Sequence, residues 1–424
     1  MTHPMLVVAI QGKVGRVSMP ANSSAPEKLS KTSFVRIVVR ILGVIVALAA
    51  SALALPLALA VLGAYFPRIP KIGVIGPVLT GQYPFHMALF AVVAGGLAVG
   101  AWALGWPRWG GTVTTVAVVT TVAALVVAGL QYADARRVWT VVSWHDMFSE
   151  LGLPAAVPDS VETYAEPGGQ ALRVDVYLPE KRSGSTVPAI VLAHAGGFHT
   201  FDKEDLRGTG RWLADRGVAV FAIDYRLATR EQPTWDRAPQ DVACAVGWVQ
   251  EHAGQYGVDS ARVSLGGMSA GGTLAMNAGY RLSRGEIESS CGNAPKAPAS
   301  VVGFYPGTDV TWMWNHNSQG TREAAELFTG GTPQQFPDRY RVVSPTSDIR
   351  QGLPRTLLVV GDRDTSAIPS TVTDFGAALD TAGVDNRVHV LPFAVHAFDD
   401  AYGSLSSQAS RQLLFDFLVT DSPR

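Results

Sequence analysis

The sequence predicts an α/β domain with a doubly wound, mostly parallel sheet, preceded by an all-α membrane region of about three helices. Three observations carry this. Up to Ala133, nine basic residues stand against one acid, a net of +8, whereas the remaining 25 basic and 34 acidic residues give −9. The basic part holds three long uncharged apolar runs. From about Leu172 onward, short Val- and Ile-rich runs alternate with helix-like segments, the pattern of a parallel sheet covered on both faces. With 47% apolar and 16% charged residues the chain is not disordered as a whole. The acidic part has no basic stripe, so nucleic acid is not an expected partner. Two cysteines, Cys244 and Cys291, support neither a disulfide-dense scaffold nor a four-thiolate zinc site.

Taken in order, residues 1–36 read as a disordered basic tail with Pro20, Asn22, Ser23, Ser24 and Pro26. Residues 37–133 form the membrane region. Between Arg40 and Arg68 the run ILGVIVALAASALALPLALAVLGAYFP is uncharged and long enough to cross a bilayer, with a bend expected at Pro56. IGVIGPVLTGQYP, after Lys71, is broken by Gly and Pro, but Phe85–Trp106 and Thr112–Ala133 are both span-length. Trp102, Trp106, Trp109, Tyr132 and Trp139 sit near span ends, as in aromatic belts, and His86 opens its helix at an interfacial position. Six Lys/Arg precede the first span, against two and one in the next loops. This keeps the N-terminus cytoplasmic, and three crossings put the rest outside the cell membrane, although Arg136 and Arg137 pull the other way. The lipid bilayer is therefore an expected partner.

Residues 134–169 read as linker and lead-in, and residues 170–424 as the α/β domain. Its candidate strands are Leu172–Leu178, Ala189–His194, Val218–Asp224, Val263–Gly266, Ser300–Tyr305, Thr356–Val360 and Arg387–Leu391. Helices are expected over Asp205–Arg216, Arg237–His252, Ala270–Arg281, Ser370–Ala382 and Ser406–Leu418. The stretch of about 306–354, holding Trp312, Trp314, Phe328 and Phe336, is too long for a plain loop and reads as a lid or pocket wall. Ligands bind at the carboxyl ends of strands in such sheets, and every polar motif of the domain falls there.

Gly267-Met268-Ser269-Ala270-Gly271 has G-x-S-x-G spacing between a predicted strand and a predicted helix. Its glycines admit a strained strand-to-helix turn, where side chains would collide with neighbouring backbone, and Ser269 projects from that turn. The helix N-terminus behind it favours developing negative charge. Upstream, His194-Ala195-Gly196-Gly197-Phe198 ends a strand. Gly196 and Gly197, with the N–H of Ala270, are the candidate oxyanion donors, each worth about 2.7–4 kcal/mol to a transition state.

Together with AIDYRLA (Ala222–Ala228), these motifs resemble the α/β-hydrolase carboxylesterases and lipases of the hormone-sensitive-lipase-like and related groups, over roughly Leu172–Leu418. Two positions depart from the family pattern: Ala195 is second in the HGGG-type loop, and Met268 stands where the elbow often has Asp. The triad order places an acid after a late strand and then a histidine. Asp362 and Asp364 both fit that position, and the family pattern of Gly, two variable residues, Asp and a following apolar-Pro pair selects Asp364, leaving Asp362 to the turn. Among nine histidines, His396 alone lies on a loop just past the next strand; His389 is within that strand, and His194 belongs to the oxyanion loop.

The resemblance implies a serine carboxylic ester hydrolase, an esterase or lipase, with Ser269 as nucleophile, His396 as base and Asp364 orienting it. Activity is expected to fall as pH drops through about 6–7. Expected substrates are small-molecule or lipid esters. An acyltransferase with the same triad and a non-catalytic binding protein on the same fold are the competing functions. Asp224, Tyr225 and Arg226 read as an Asp–Arg brace of the loop, and His199, Trp312 and Trp314 as pocket lining or lid packing. Cys244 and Cys291 either pair, if the domain is exported, or stand as one buried and one exposed thiol. Zinc spacing, a phosphate-cradling loop and a dinucleotide fingerprint are all missing from the sequence, so no metal or cofactor is implied.

Overall fold

The computed structural model describes residues 31–180 and 186–420. Most of the expected tail lies outside these residues, but its last six, 31–36, are already helical. The N-terminal helical region, read from the sequence as a membrane region, is α1 (Lys31–Tyr65), α2 (Ile72–Gln82), α3 (Pro84–Ala103) and α4 (Pro107–Arg137). Helices α1, α3 and α4 have 35, 20 and 31 residues and are apolar enough to span a bilayer, for which about 20 residues suffice. Their packing is inside-out relative to a soluble bundle. Ala47, Ala50, Ala54, Ala94 and Ala98 are buried between helices, while Leu48, Val92 and Val119 are more than half exposed. Small residues at the seams let backbones approach closely. At Gly63 a Cβ would stand 2.0 Å from the Ile72 carbonyl oxygen, which fixes how α2 folds back on α1.

The expected break between Lys71 and Tyr83 is instead helix α2, with Pro77 inside it. Neighbouring helices re-satisfy backbone groups that proline frees, so membrane helices tolerate it. Pro56 likewise lies within a continuous α1.

A short helix, α5 (Trp144–Ser149), joins this bundle to an eight-stranded sheet. The strands are β1 (Ser160–Ala165), β2 (Leu172–Tyr177), β3 (Val187–Ala193), β4 (Ala219–Ile223), β5 (Val258–Met268), β6 (Ser300–Phe304), β7 (Arg355–Gly361) and β8 (Asn386–Leu391). Their order is β1-β2-β4-β3-β5-β6-β7-β8; β2 is antiparallel to β1 and β4, and every pair from β4 to β8 is parallel. Strand β1 lies within the segment read as linker from the sequence.

Helices α6 (Arg207–Ala214), α7 (Arg237–Glu251), α8 (Ala253–Tyr256) and α9 (Ala270–Leu282) connect successive strands. Successive side chains of a strand point to opposite faces. Ile190 and Leu192 of β3 therefore pack in one core with Leu213 of α6, whereas Val191 and Ala193 pack in the other with Val242 and Val246 of α7. The segment read from the sequence as a lid or pocket wall holds three helices, α10 (Val310–His316), α11 (Gln319–Thr329) and α12 (Pro337–Val343), near the carboxyl end of the sheet. Helices α13 (Pro369–Thr381) and α14 (Leu405–Val419) complete the first core through Phe375 and Leu414. Cys244 of α7 is disulfide-bonded to Cys291.

Candidate active site

Strand β5 delivers Ser269 at its carboxyl end, with φ 51° and ψ −116°, a sparsely populated conformation for a residue with a side chain. Backbone crowding holds it there. A Cβ on Gly271 would lie 2.2 Å from Ala193 O and 2.4 Å from His194 O, and one on Gly267 would lie 2.3 Å from the Gly271 carbonyl carbon. Ser269 N–H donates to Phe304 O at 2.9 Å, which ties the turn to β6.

The loops following β7 and β8 bring two further groups to this turn. Ser269 Oγ donates to His396 Nε2 at 2.8 Å, and His396 Nδ1 donates to Asp364 Oδ2 at 2.8 Å and to Oδ1 at 3.1 Å. Asp364 is 4% exposed, and its Oδ1 also accepts the N–H groups of Ser366 at 2.7 Å and Ala367 at 2.8 Å. The three groups thus form one continuous chain of hydrogen bonds. Asp362 does not reach it; its N–H donates to Leu391 O, its carboxyl lies beside Arg363, and burial pushes that carboxyl above the usual carboxylate range.

Gly196 has φ +121°, and a Cβ there would lie 1.9 Å from Thr200 O, so only glycine fits this loop. Among the described residues, the N–H groups of Gly196 and Gly197 donate to no protein acceptor. They line, with Ala270, the cavity above Ser269. That cavity has a volume of about 450 Å³ and is walled largely by apolar groups, including Leu153, Phe198, Met268, Val310 and Met313. Phe198 stacks on Phe328 of α11 with ring centroids 3.9 Å apart, which packs α11 against the loop of residues 194–198. Its carboxylates are Asp205, Asp399 and Asp400. Asp399 binds the hydroxyl of Tyr305, whose ring meets His396 edge-on at 4.7 Å, and burial pushes the Asp399 carboxyl upward.

One secondary expectation is corrected. Asp224 and Arg226 do not pair with each other. Arg226 grips buried Asp241 of α7 through its Nη2 at 2.7 Å and its Nε at 2.8 Å, while Asp224 Oδ1 accepts the Lys203 N–H at 3.1 Å. Of the two readings of Trp312 and Trp314, packing within the three-helix segment is the one that fits: Trp312 stacks on His316, Trp314 Nε1 donates to Glu326, and Met313 between them faces the cavity. His199 does line the cavity, with Nδ1 on Gly197 O at 2.8 Å. His194 is structural; it stacks on Tyr225 at 4.3 Å, and burial pulls its pKa down to about 4. Tyr305 and Asp399 carried no sequence signal of their own beyond standing beside Pro306 and shortly after His396.

The sheet order and the elbow after β5 are those of the α/β-hydrolase fold. Residues 174–379 match the family described as BD-FAE. The chain is 25% identical over 256 residues to the esterase LipQ of Mycobacterium tuberculosis, covering 59% of this chain. It is 28% identical over 262 residues to an ethyl acetate hydrolase of Pseudomonas putida, covering 58% of this chain and 77% of that protein. The structure of an esterase from Thermogutta terrifontis, Est2, superposes with a TM-score of 0.51 and 25% identity over 63% of this chain and 92% of that one. The chain spans 60% of the length of LipQ and smaller shares of the polyketide synthases it also matches.

Proposed function

We propose that this protein is a membrane-anchored serine carboxylic ester hydrolase that works through an acyl-enzyme on Ser269. The observation that carries the reading is the unbroken relay from Ser269 Oγ through His396 to Asp364 at the floor of an apolar cavity. As the ester carbonyl settles over Ser269, His396 Nε2 takes the Oγ proton while Oγ forms a bond to the carbonyl carbon. The negative charge that develops on the carbonyl oxygen is met by the N–H groups of Gly196, Gly197 and Ala270. The tetrahedral species collapses, the C–O bond to the alcohol breaks, and His396 returns its proton to the departing alkoxide. Water then repeats the sequence, releasing the acid and restoring Ser269. Asp364 holds the Nδ1–H tautomer and stabilises the imidazolium at each protonation.

The apolar wall favours esters of acyl chains, and about 450 Å³ is of the size of small-ligand sites. The excess of Lys/Arg before α1 supports a cytoplasmic N-terminus, with the sheet domain beyond the other face of the cell membrane. The Cys244–Cys291 disulfide supports the same orientation, because disulfides persist in oxidising compartments. The test is hydrolysis of esters of graded acyl length by the full-length protein beside Ser269→Ala. A chain-length optimum that disappears in Ser269→Ala is expected; equal hydrolysis by both proteins would reject the nucleophile.

A further inference from the structure

The acid loop and the histidine loop leave neighbouring strands and are stitched together before they reach the triad. Arg363 N–H donates to Ala394 O at 2.9 Å, and a Cβ on Gly361 would stand 2.2 Å from that same oxygen. The joined loops sit directly on the membrane helices. Phe393, three residues before His396, is 7% exposed and packs against Ala64 of α1 and Val127 of α4, with Tyr65 edge-on at 5.3 Å. Gln131 of α4 is 2% exposed; its Nε2 donates to Pro392 O at 3.2 Å and to Gly81 O, at the end of α2, at 2.7 Å. Position 81 has to be glycine, since a Cβ would lie 2.1 Å from Phe393 O. On the acid side, Arg363 Nε donates to Ala64 O at 3.2 Å, and its guanidinium lies 4.7 Å from the centre of the Phe393 ring.

A tether needs no such contacts. Helices α2 and α4 reach the backbone of the loop carrying the general base, and α1 packs on its Phe393 ring, which is more than a flexible anchor would do. Phe393 itself has φ +55°, a conformation that a residue with a side chain keeps only where its surroundings over-determine it. Here the surroundings are the membrane helices. We infer that the membrane bundle is part of the scaffold of the active site, with Gln131 and Phe393 as positioning residues that set His396 between Ser269 and Asp364. The inference rests on the triad reading given above.

The experiment compares full-length Gln131→Leu, Phe393→Ala and Phe393→Leu in detergent micelles with wild type and Ser269→Ala, using a soluble short-chain ester and thermal melting as a control for folding. A small misplacement set far from the chemistry costs up to about a hundredfold. In Gln131→Leu and Phe393→Ala, kcat is expected to fall roughly ten- to a hundredfold, and the rate at which a fluorophosphonate labels Ser269 to fall in step. Neither residue lines the cavity, so KM should stay within about twofold. Phe393→Leu, which refills most of the apolar space, should recover most of kcat. The inference is overturned if folded Gln131→Leu and Phe393→Ala keep kcat within about twofold of wild type, or if KM alone changes. Should Phe393→Ala fail to fold, Gln131→Leu decides alone. Hydrolysis by Ser269→Ala would instead reject the triad reading, so the two failures are told apart.

Discussion

Replacing Asp364 by asparagine tests the relay at its most constrained point. Asp364 Oδ1 accepts two backbone N–H groups, from Ser366 at 2.7 Å and Ala367 at 2.8 Å. In Asp364→Asn the side-chain oxygen has to remain on that side, because an NH2 group there would face two donors. The NH2 group then occupies the place of Oδ2, 2.8 Å from His396 Nδ1, and is itself a donor. Nδ1 is forced to accept, so the ring proton moves to Nε2, which points at Ser269 Oγ 2.8 Å away. That tautomer cannot take the serine proton. A tautomer inversion of this kind in a serine triad costs about 10⁴ in kcat, or about 5 kcal/mol of barrier. The assay is steady-state hydrolysis of a short soluble ester, with Asp362→Asn as the comparison, since Asp362 does not reach His396. KM and melting temperature should change little in Asp364→Asn. A kcat within about tenfold of wild type would refute the tautomer argument.

Three further outcomes are expected. Gly271→Ala drives a Cβ to 2.2 Å from Ala193 O, a backbone atom that cannot rotate away; it should lower kcat by about a hundredfold, checked against the activity of the purified variant, and retained activity would show that the elbow can relax. His194 stays neutral in the folded chain down to about pH 4 but protonates near 6.5 when unfolded, so the unfolded state binds the extra proton and stability falls as pH drops between those values. Denaturant titrations at pH 7 and pH 4 should show a loss of up to about 3 kcal/mol from this group, and His194→Asn should flatten that part of the slope. Reducing the Cys244–Cys291 bond, which closes a loop of 47 residues, should lower stability by up to about 4 kcal/mol, read as a fall in melting temperature with dithiothreitol that the double Cys→Ala variant does not show.

Much of this architecture was legible because it is written locally. The parallel strands announce themselves as continuous apolar runs, since both faces are covered, and the three long apolar helices as uncharged stretches of bilayer length. Ser269, Asp364 and His396 emerge as candidates from their places at strand ends, and the fold brings all three within hydrogen-bonding distance. The sequence was silent where the partner is remote. SVETYA becomes strand β1 only by pairing with β2, and its exposed half gives it no apolar signature. Helix α2, with Gly73, Gly76, Pro77 and Gly81, reads as broken because its support comes from α1 and not from its own propensity. Arg226 finds Asp241, 15 residues on, rather than Asp224, two residues back. Gln131 and Pro392 are 261 residues apart, and nothing near either one signals their contact.

The most direct test of the account is to trap the acyl-enzyme surrogate. Full-length protein treated with a fluorophosphonate and digested for mass spectrometry should carry the adduct on Ser269, with neither adduct nor ester hydrolysis in Ser269→Ala. An adduct on another residue, or hydrolysis that continues while Ser269 stays unmodified, would contradict it.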